Sequence, residues 1–272
     1  MKSLKFGKKP LVMGILNVTP DSFSDGGEFL SVEDAVEYAI QMEKDGADII
    51  DIGGESTRPG AKSISVKEEI NRVAPVVENL IDKISIPISI DTYKSEIAKK
   101  TLDIGASMIN DITALRGDEK LASIVAEYEV PICLMHMKGT PQNMQVNPEY
   151  DDVVQEIKDF LKERAQYAIS KGIKNSNIIV DPGLGFGKRT GKGIEDNLEI
   201  LNRLSEFRDL GHPIMIGASR KTFIGHFFGD KDLLPISKRL EGSLAAAIIA
   251  IVNGADIIRV HDVKETRSII DL

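Results

Sequence analysis

The amino-acid sequence predicts an α/β chain of the (β/α)8 TIM-barrel class, folded as a single domain across residues 1–272. Eight short, β-branched apolar runs alternate with amphipathic stretches of helical period, and no linker-like segment separates them. Three helix-to-strand junctions share one phrase, Gly46-Ala-Asp-Ile-Ile50, Gly105-Ala-Ser-Met-Ile109 and Gly254-Ala-Asp-Ile-Ile258, in which glycine supplies the left-handed residue that closes a helix. All eight runs end in polar residues, whereas they mostly begin on Pro, Asp or Ser followed by aliphatics, so polarity collects at one rim. An open doubly wound sheet is the alternative, and it would normally show fewer strands at this length.

The eight runs are Leu11–Leu16, Ile49–Gly53, Ile88–Asp91, Met108–Ile112, Ile132–His136, Ile178–Asp181, Ile214–Gly217 and Ile257–His261. Most are continuous rather than alternating, as expected of parallel strands covered on both faces. After the first, Val32, Ala35, Val36, Ala39 and Ile40 fall at helical spacing; after the second, Ile70, Val73, Val76, Val77, Leu80 and Ile81 do the same. Pro75 lies inside that second pattern, so a kink or break is expected there. A longer helix follows the fifth run, with Val153, Val154, Ile157, Phe160, Leu161, Ala165, Ala168 and Ile169 on its apolar face. The near-apolar stretch Leu240–Val252 fits two placements equally well, a surface between two copies of the chain or burial against the barrel's own sheet.

With 42% hydrophobic and 28% charged residues, the composition is neither disordered nor membrane-like, and the longest apolar run, Leu244–Val252, is far short of the about 20 residues a membrane span needs. No export signal precedes Pro10, and the single cysteine, Cys133, sits in the apolar run Pro131–Met135 as a small buried hydrophobe; both fit a reducing cytoplasm. A net charge of −8, with no run of five or more basic residues, argues against a nucleic-acid partner. Cations that hold an anionic substrate would have to be placed locally against that field.

The strand ends read Asn17-Val-Thr-Pro-Asp21, Glu55-Ser-Thr-Arg58, Asp91-Thr92, Asn110-Asp111, His136, Asp181-Pro182, Ser219-Arg-Lys221 and Arg259-Val-His-Asp262. A lone carboxylate or amide after a strand is more often a helix N-cap than a ligand contact, and Asp111 and Asp262 read that way. Asp91 does not, because Thr92 or Ser95 would cap the next helix equally well. The first strand ends without His-x-His, and four histidines in all make a histidine-rich zinc site improbable. A Schiff-base lysine is expected within a strand, and Lys221 follows one. Gly183-Leu-Gly-Phe-Gly187 carries no nucleotide fingerprint. An anion site is the better reading. Arg58, Arg259, His261 and Asn17 come from strands one, two and eight, which are neighbours in a closed barrel, and two guanidiniums can fork onto phosphate oxygens. Asn17, with Thr57 nearby, can ligate Mg²⁺ or donate to a bridging oxygen. Opposite them, Asp91, Asn110 and Asp181 offer carboxylates and an amide suited to a flat heterocycle with amide and amino groups.

The motifs Met13-Gly-Ile-Leu-Asn-Val-Thr-Pro-Asp-Ser-Phe-Ser-Asp-Gly-Gly27, Asp51-Ile-Gly-Gly-Glu-Ser-Thr-Arg-Pro-Gly60, Ser89-Ile-Asp-Thr92, Ile109-Asn-Asp-Ile112, Met135-His-Met-Lys-Gly-Thr-Pro141, Asp181-Pro-Gly-Leu-Gly-Phe-Gly187, Gly217-Ala-Ser-Arg-Lys221 and Arg259-Val-His261 span nearly the whole chain. In these the sequence resembles the dihydropteroate synthases of folate biosynthesis, a pterin-binding enzyme family. The resemblance implies a barrel, a homodimer, Mg²⁺, and a transferase that joins 6-hydroxymethyl-7,8-dihydropterin diphosphate to p-aminobenzoate with release of pyrophosphate. Carried over by residue, it assigns Asp91, Asn110, Asp181 and Lys221 to the pterin. Asn17, Thr57, Arg58, Arg259 and His261 fall to the diphosphate, with Asn17 as metal ligand. Phe23, Pro59, Phe186, Arg220 and Thr222 fall to p-aminobenzoate, and Asp25, Arg58, Asp91 and Lys221 to the chemistry itself.

On that resemblance, Arg58, Arg259, His261 and Mg²⁺ would neutralise the leaving pyrophosphate, while Asp91, Asp181 and Asp25 would shelter the cation left on the pterin methylene. Two departures stand out. Lys188-Arg-Thr-Gly-Lys-Gly193 adds residues to the glycine-rich loop and is expected to be longer and more mobile, and Thr222 replaces an expected serine. A methyltetrahydrofolate-dependent corrinoid methyltransferase would keep the aspartate–asparagine set but has no reason to carry the Asn17 and Glu55–Arg58 loops together. A non-catalytic pterin-binding barrel would be favoured by loss of Arg58, Arg259 or Lys221, and all three are present.

Overall fold

The computed structural model describes residues 4, 6–7, 9–19, 31–58, 60–191, 195–228 and 233–272. Phe23, Asp25 and Pro59 lie outside the described residues. Eight parallel strands form one sheet: β1 (Leu11–Asn17), β2 (Ile49–Gly53), β3 (Ile88–Asp91), β4 (Met108–Asp111), β5 (Ile132–Met135), β6 (Ile178–Asp181), β7 (Met215–Ile216) and β8 (Ile257–Val260). Their order, β6-β5-β4-β3-β2-β1-β8-β7, runs unbroken around a cylinder. The last gap is closed by a parallel bridge between Val180 and Ile214, with the Val180 amide donating to the Pro213 carbonyl at 2.9 Å. The architecture is the barrel the sequence predicts, and each strand lies within two residues of its expected bounds.

Helices α1 (Val32–Lys44), α2 (Val66–Leu80), α3 (Ser95–Ile104), α4 (Leu121–Tyr128), α5 (Val153–Ser170), α6 (Asp196–Asn202), α7 (Thr222–Phe228), α8 (Leu240–Val252) and α9 (Val263–Ile270) surround the sheet. The Gly46, Gly105 and Gly254 turns adopt φ of 99°, 132° and 102°, where a side chain would be strained, so the repeated Gly-Ala phrase marks three equivalent junctions. Ser31 opens α1 with a capping box to Asp34, and Asp152 caps α5 through the amides of Val154 and Gln155.

Of the kink or break expected at Pro75, the break does not occur, and α2 runs through the proline. Val73, Ala74, Val76, Val77 and Leu80 are all buried against the barrel. Asn71, whose carbonyl loses its donor to the proline, is exposed, so water can replace the missing bond at little cost against that packing.

The core has two parts. A large cluster fills the space between sheet and helices. A smaller one, Met13, Ile49, Met108, Cys133, Ile179, Met215 and Ile257, plugs the barrel interior, with one residue from each strand except β3.

Candidate active site

Side chains alternate along a strand, so residues two positions beyond the apolar plug point into the same interior, one layer nearer the C-terminal rim. Those positions are Ile15, Asp51, Asn110, Met135, Asp181, Gly217 and Arg259. Asp91, on β3, faces the same space: a Cβ added at Gly53 would lie 3.4 Å from the Asp91 Cβ and 3.6 Å from Asn17 Oδ1. An ionisable layer therefore sits directly on an apolar floor.

Within it, Asp51 is fully buried, and its Oδ2 accepts from Asn110 Nδ2 at 2.9 Å and from Arg259 Nε at 2.6 Å. Its Oδ1 has no hydrogen-bond partner among the described residues. Arg259 Nη2 reaches Asp91 Oδ2 at 2.8 Å. Asp181 Oδ1 accepts from the Gly183 amide at 2.7 Å, and Lys221 Nζ donates to the Leu184 carbonyl while lying 4.6 Å from the centre of the Phe186 ring.

Burial pushes the Asp91 carboxyl up to about 7, against the pull of Arg259 and with added repulsion from Asp51 and Glu69. Burial also raises Asp181, opposed mainly by Lys221, and lowers Lys221 to about 8, opposed by Asp181. Burial works against charge on Arg259 too, but Asp51 and Asp91 outweigh it and hold its pKa above the usual value. The four residues expected to hold a pterin, Asp91, Asn110, Asp181 and Lys221, thus share one electrostatic field with Arg259.

The two arginines expected at a diphosphate have different surroundings. Arg259 is engaged by Asp51 and Asp91, while Arg58 is exposed and its guanidinium makes no hydrogen bond or ion pair among the described residues. Asn17 and Thr57 are half-buried at the same rim. His261 differs in charge from a cationic anchor. Burial, then Arg220 and Arg259, lower its pKa to about 3, so the free imidazole is neutral. Its amide donates to Ser219 Oγ at 3.2 Å and its Nδ1 lies 3.0 Å from that hydroxyl; with the Ser219 proton directed to Nδ1, Nε2–H remains as a donor.

Of the residues expected at p-aminobenzoate, Phe186 lies beside Lys221, Thr222 is exposed at the start of α7, and Arg220 turns to the Asp262 carboxylate. Arg220 adopts φ 57°, a left-handed conformation held by its amide donating to Ser243 Oγ and its carbonyl accepting from Arg239 Nη1, both at 2.9 Å. Asp262 is the partner that orients Arg220 and makes no side-chain cap bond to α9, while Asp111 accepts from the Thr113 amide and hydroxyl and the Leu115 amide.

The extended loop after β6 is anchored where it is described. Lys188 is buried, Arg189 forks onto Asp196 with contacts of 2.9–3.2 Å, and the Gly191 amide donates to Glu195 at 2.7 Å. Charged partners at 195 and 196 close the excursion locally at residues 188–191; Lys192 and Gly193 lie outside the described residues.

Several site residues escaped sequence reasoning. Lys94 donates to Glu55, to Glu69 Oε2 at 2.7 Å and to the Ile64 carbonyl at 2.8 Å, while Tyr93 Oη donates to Glu55 and Thr92 Oγ1 to Glu69. This network ties the loop carrying Thr57 and Arg58 to the end of β3, so Glu55 shapes that loop from behind. Ile112, Met135, Met137 and Met144 form an apolar wall against Tyr93 and Phe186. Asp51 was recoverable from strand alternation, as Ile49 plus two; the carboxylates that Lys94 meets lie on other elements, and Lys188, although it holds two carbonyls of its own loop, also needs His136 at the end of β5.

A family model described as pterin binding enzyme matches residues 13–261. The dihydropteroate synthase of Escherichia coli K12 is 48% identical over 257 residues, covering 94% of this chain and 88% of that protein. Among solved structures, Yersinia pestis dihydropteroate synthase in a sulfonamide drug complex superposes with a TM-score of 0.90 at 43% identity, covering 97% of this chain and 92% of that one. The Xanthomonas albilineans dihydropteroate synthase in complex with 7,8-dihydropteroate gives 0.84 at 41% identity, with the same coverage. The chain belongs to the pterin-binding enzyme family, among its dihydropteroate synthases.

Proposed function

We propose that the protein joins 6-hydroxymethyl-7,8-dihydropterin diphosphate to p-aminobenzoate, giving 7,8-dihydropteroate and pyrophosphate. The observation that carries this reading is the polar layer of Asp51, Asp91, Asn110, Asp181, Lys221 and Arg259 set on the apolar floor. Carboxylates at Asp91 and Asp181 accept from the ring's amino and N–H groups, while Asn110 and Lys221 meet its carbonyl side. The methylene C–O bond breaks, its electron pair leaves with pyrophosphate, and the arylamine nitrogen forms the new C–N bond and then loses a proton. Arg58 takes the diphosphate as a free guanidinium, and His261 adds a neutral N–H. Asp91 and Asp181 steady the positive charge on the methylene; the resemblance adds Asp25 to that role and assigns Phe23, Pro59, Phe186, Arg220 and Thr222 to the arylamine.

Among the described residues no group of three or more His, Cys, Asp or Glu could cage a metal. That fits Mg²⁺ carried by substrate phosphates with Asn17 as a single protein ligand, since Mg²⁺ keeps waters and phosphate oxygens in preference to protein cages. When bound there, the ion supplies further charge neutralisation at the leaving group. We place the enzyme in the cytoplasm as a homodimer. Helix α8 supports the second assignment, because it buries Ala246, Ala247 and Ala250 and exposes Ile248, Ile249 and Val252.

Incubation with the pterin diphosphate, labelled p-aminobenzoate and Mg²⁺ should yield labelled dihydropteroate. A folded protein that forms none would overturn the reading.

A further inference from the structure

Lys188 is an unusual side chain to find 1% exposed, because no carboxylate among the described residues touches it. Its Nζ lies 3.0 Å from His136 Nδ1, 2.9 Å from the Gly183 carbonyl oxygen and 2.9 Å from the Phe186 carbonyl oxygen. Three acceptors match the three protons of an ammonium if Nδ1 accepts. A neutral amine is satisfied equally if Nδ1–H donates to it and it donates to the two carbonyls. The contacts therefore persist in either charge state.

These contacts join the end of β5 to both ends of the turn Gly183–Phe186, which the Phe186 amide closes by donating to the Gly183 carbonyl at 3.1 Å. Side chains take every carbonyl from 183 to 187: Lys188 those of Gly183 and Phe186, Lys221 that of Leu184, Gln145 Nε2 that of Gly185 and Tyr150 Oη that of Gly187. Lys188 alone holds two of them. Gly183 has no room to adjust, since a Cβ there would lie 1.9 Å from the His136 carbonyl oxygen. What the turn presents to the cavity is the Phe186 ring, 4.6 Å from Lys221 Nζ. Asp181, at the turn's start, keeps its own bond from the Gly183 amide.

We propose that Lys188 is a positioning residue for the arylamine half of the site: by holding the Gly183 and Phe186 carbonyls against His136, it sets the Phe186 ring beside Lys221. The proposal rests on the synthase reading above. It makes the buried lysine a determinant of how the second substrate is seated, without contact between the two.

The test is Lys188→Met, which keeps the aliphatic stem and removes the donors, assayed beside the wild type. A displacement of about 1 Å at a positioned group can cost up to about 100-fold; the KM for p-aminobenzoate is expected to rise about tenfold or more, with kcat and the Kd of a pterin ligand within about threefold. Peptides covering 183–187 should exchange amide hydrogens faster in the variant. In a double-mutant cycle with Phe186→Ala, the two KM effects should be non-additive, because Lys188 acts through that ring. Should Lys188→Met fail to fold, Lys188→Gln, with donors for one carbonyl on a shorter stem, is expected to give a smaller rise in the same KM. An unchanged KM in a folded variant, equal loss of both substrates, or additive effects in the cycle overturn the proposal. Wild-type turnover with an unchanged variant sinks this proposal alone, whereas an inactive wild type sinks the functional reading and this one with it.

Discussion

Arg58 and Arg259 carry the same charge in opposite circumstances. Arg259 is spoken for by Asp51 and Asp91, while Arg58 is exposed without an ion pair among the described residues. Arg58→Ala should therefore weaken a pterin diphosphate by about 10- to 100-fold, the range for losing a hydrogen bond to a charged group. Affinity for the pterin alone should change little; equal loss of both, measured by calorimetry, would place the arginine elsewhere. Asp91 leads to a pH prediction. Burial holds its carboxyl at about 7, so lowering the pH through 7 protonates it and removes an acceptor that the ring's donors require. Binding of 6-hydroxymethylpterin should weaken as pH falls from 8 to 6, and Asp91→Asn should bind weakly with no such slope. A flat wild-type profile would remove Asp91 from the pterin contact.

At the scale of the element, α8 is unusual: Ala246, Ala247 and Ala250 face the barrel while Ile248, Ile249 and Val252 face outward. A stripe of Ile248, Ile249 and Val252 left in water would be costly, and a second copy would cover it. Ile249→Asp should shift light-scattering mass from dimer toward monomer with little change in the circular dichroism spectrum; a wild type already monomeric at micromolar concentration would remove the basis for the dimer. Hydropathy could not choose between the two placements because the stretch is apolar all round, and only the placement of alanine against isoleucine separates them. Pro75 shows the converse. A local rule allowed a kink or a break, and the apolar face of α2 keeps the helix unbroken.

Across the whole molecule, what the sequence revealed depended on periodicity. Strand ends were legible because the chain turns polar where β-branched runs stop, and closing the barrel brings those ends together. The shared placement of Asp91, Asn110, Asp181 and Lys221 follows from that geometry. Two things were not legible. The state of His261 depends on burial and on guanidiniums from other loops, so a residue read as cationic is neutral. Lys94 acts through acceptors tens of residues away in sequence, and Lys188 through two carbonyls of its own turn together with the distant His136, a combination no spacing encodes.

The join between β6 and β7 is the thinnest part of the cylinder, a single bridge beside a two-residue strand. Asp181 stands on one side of it and Lys221 on the other, and the lysine reaches across to the Leu184 carbonyl. A bound heterocycle that engages both side chains would act as a cross-brace on this seam. The same contacts that recognise the substrate would stiffen the barrel where its own backbone does so least.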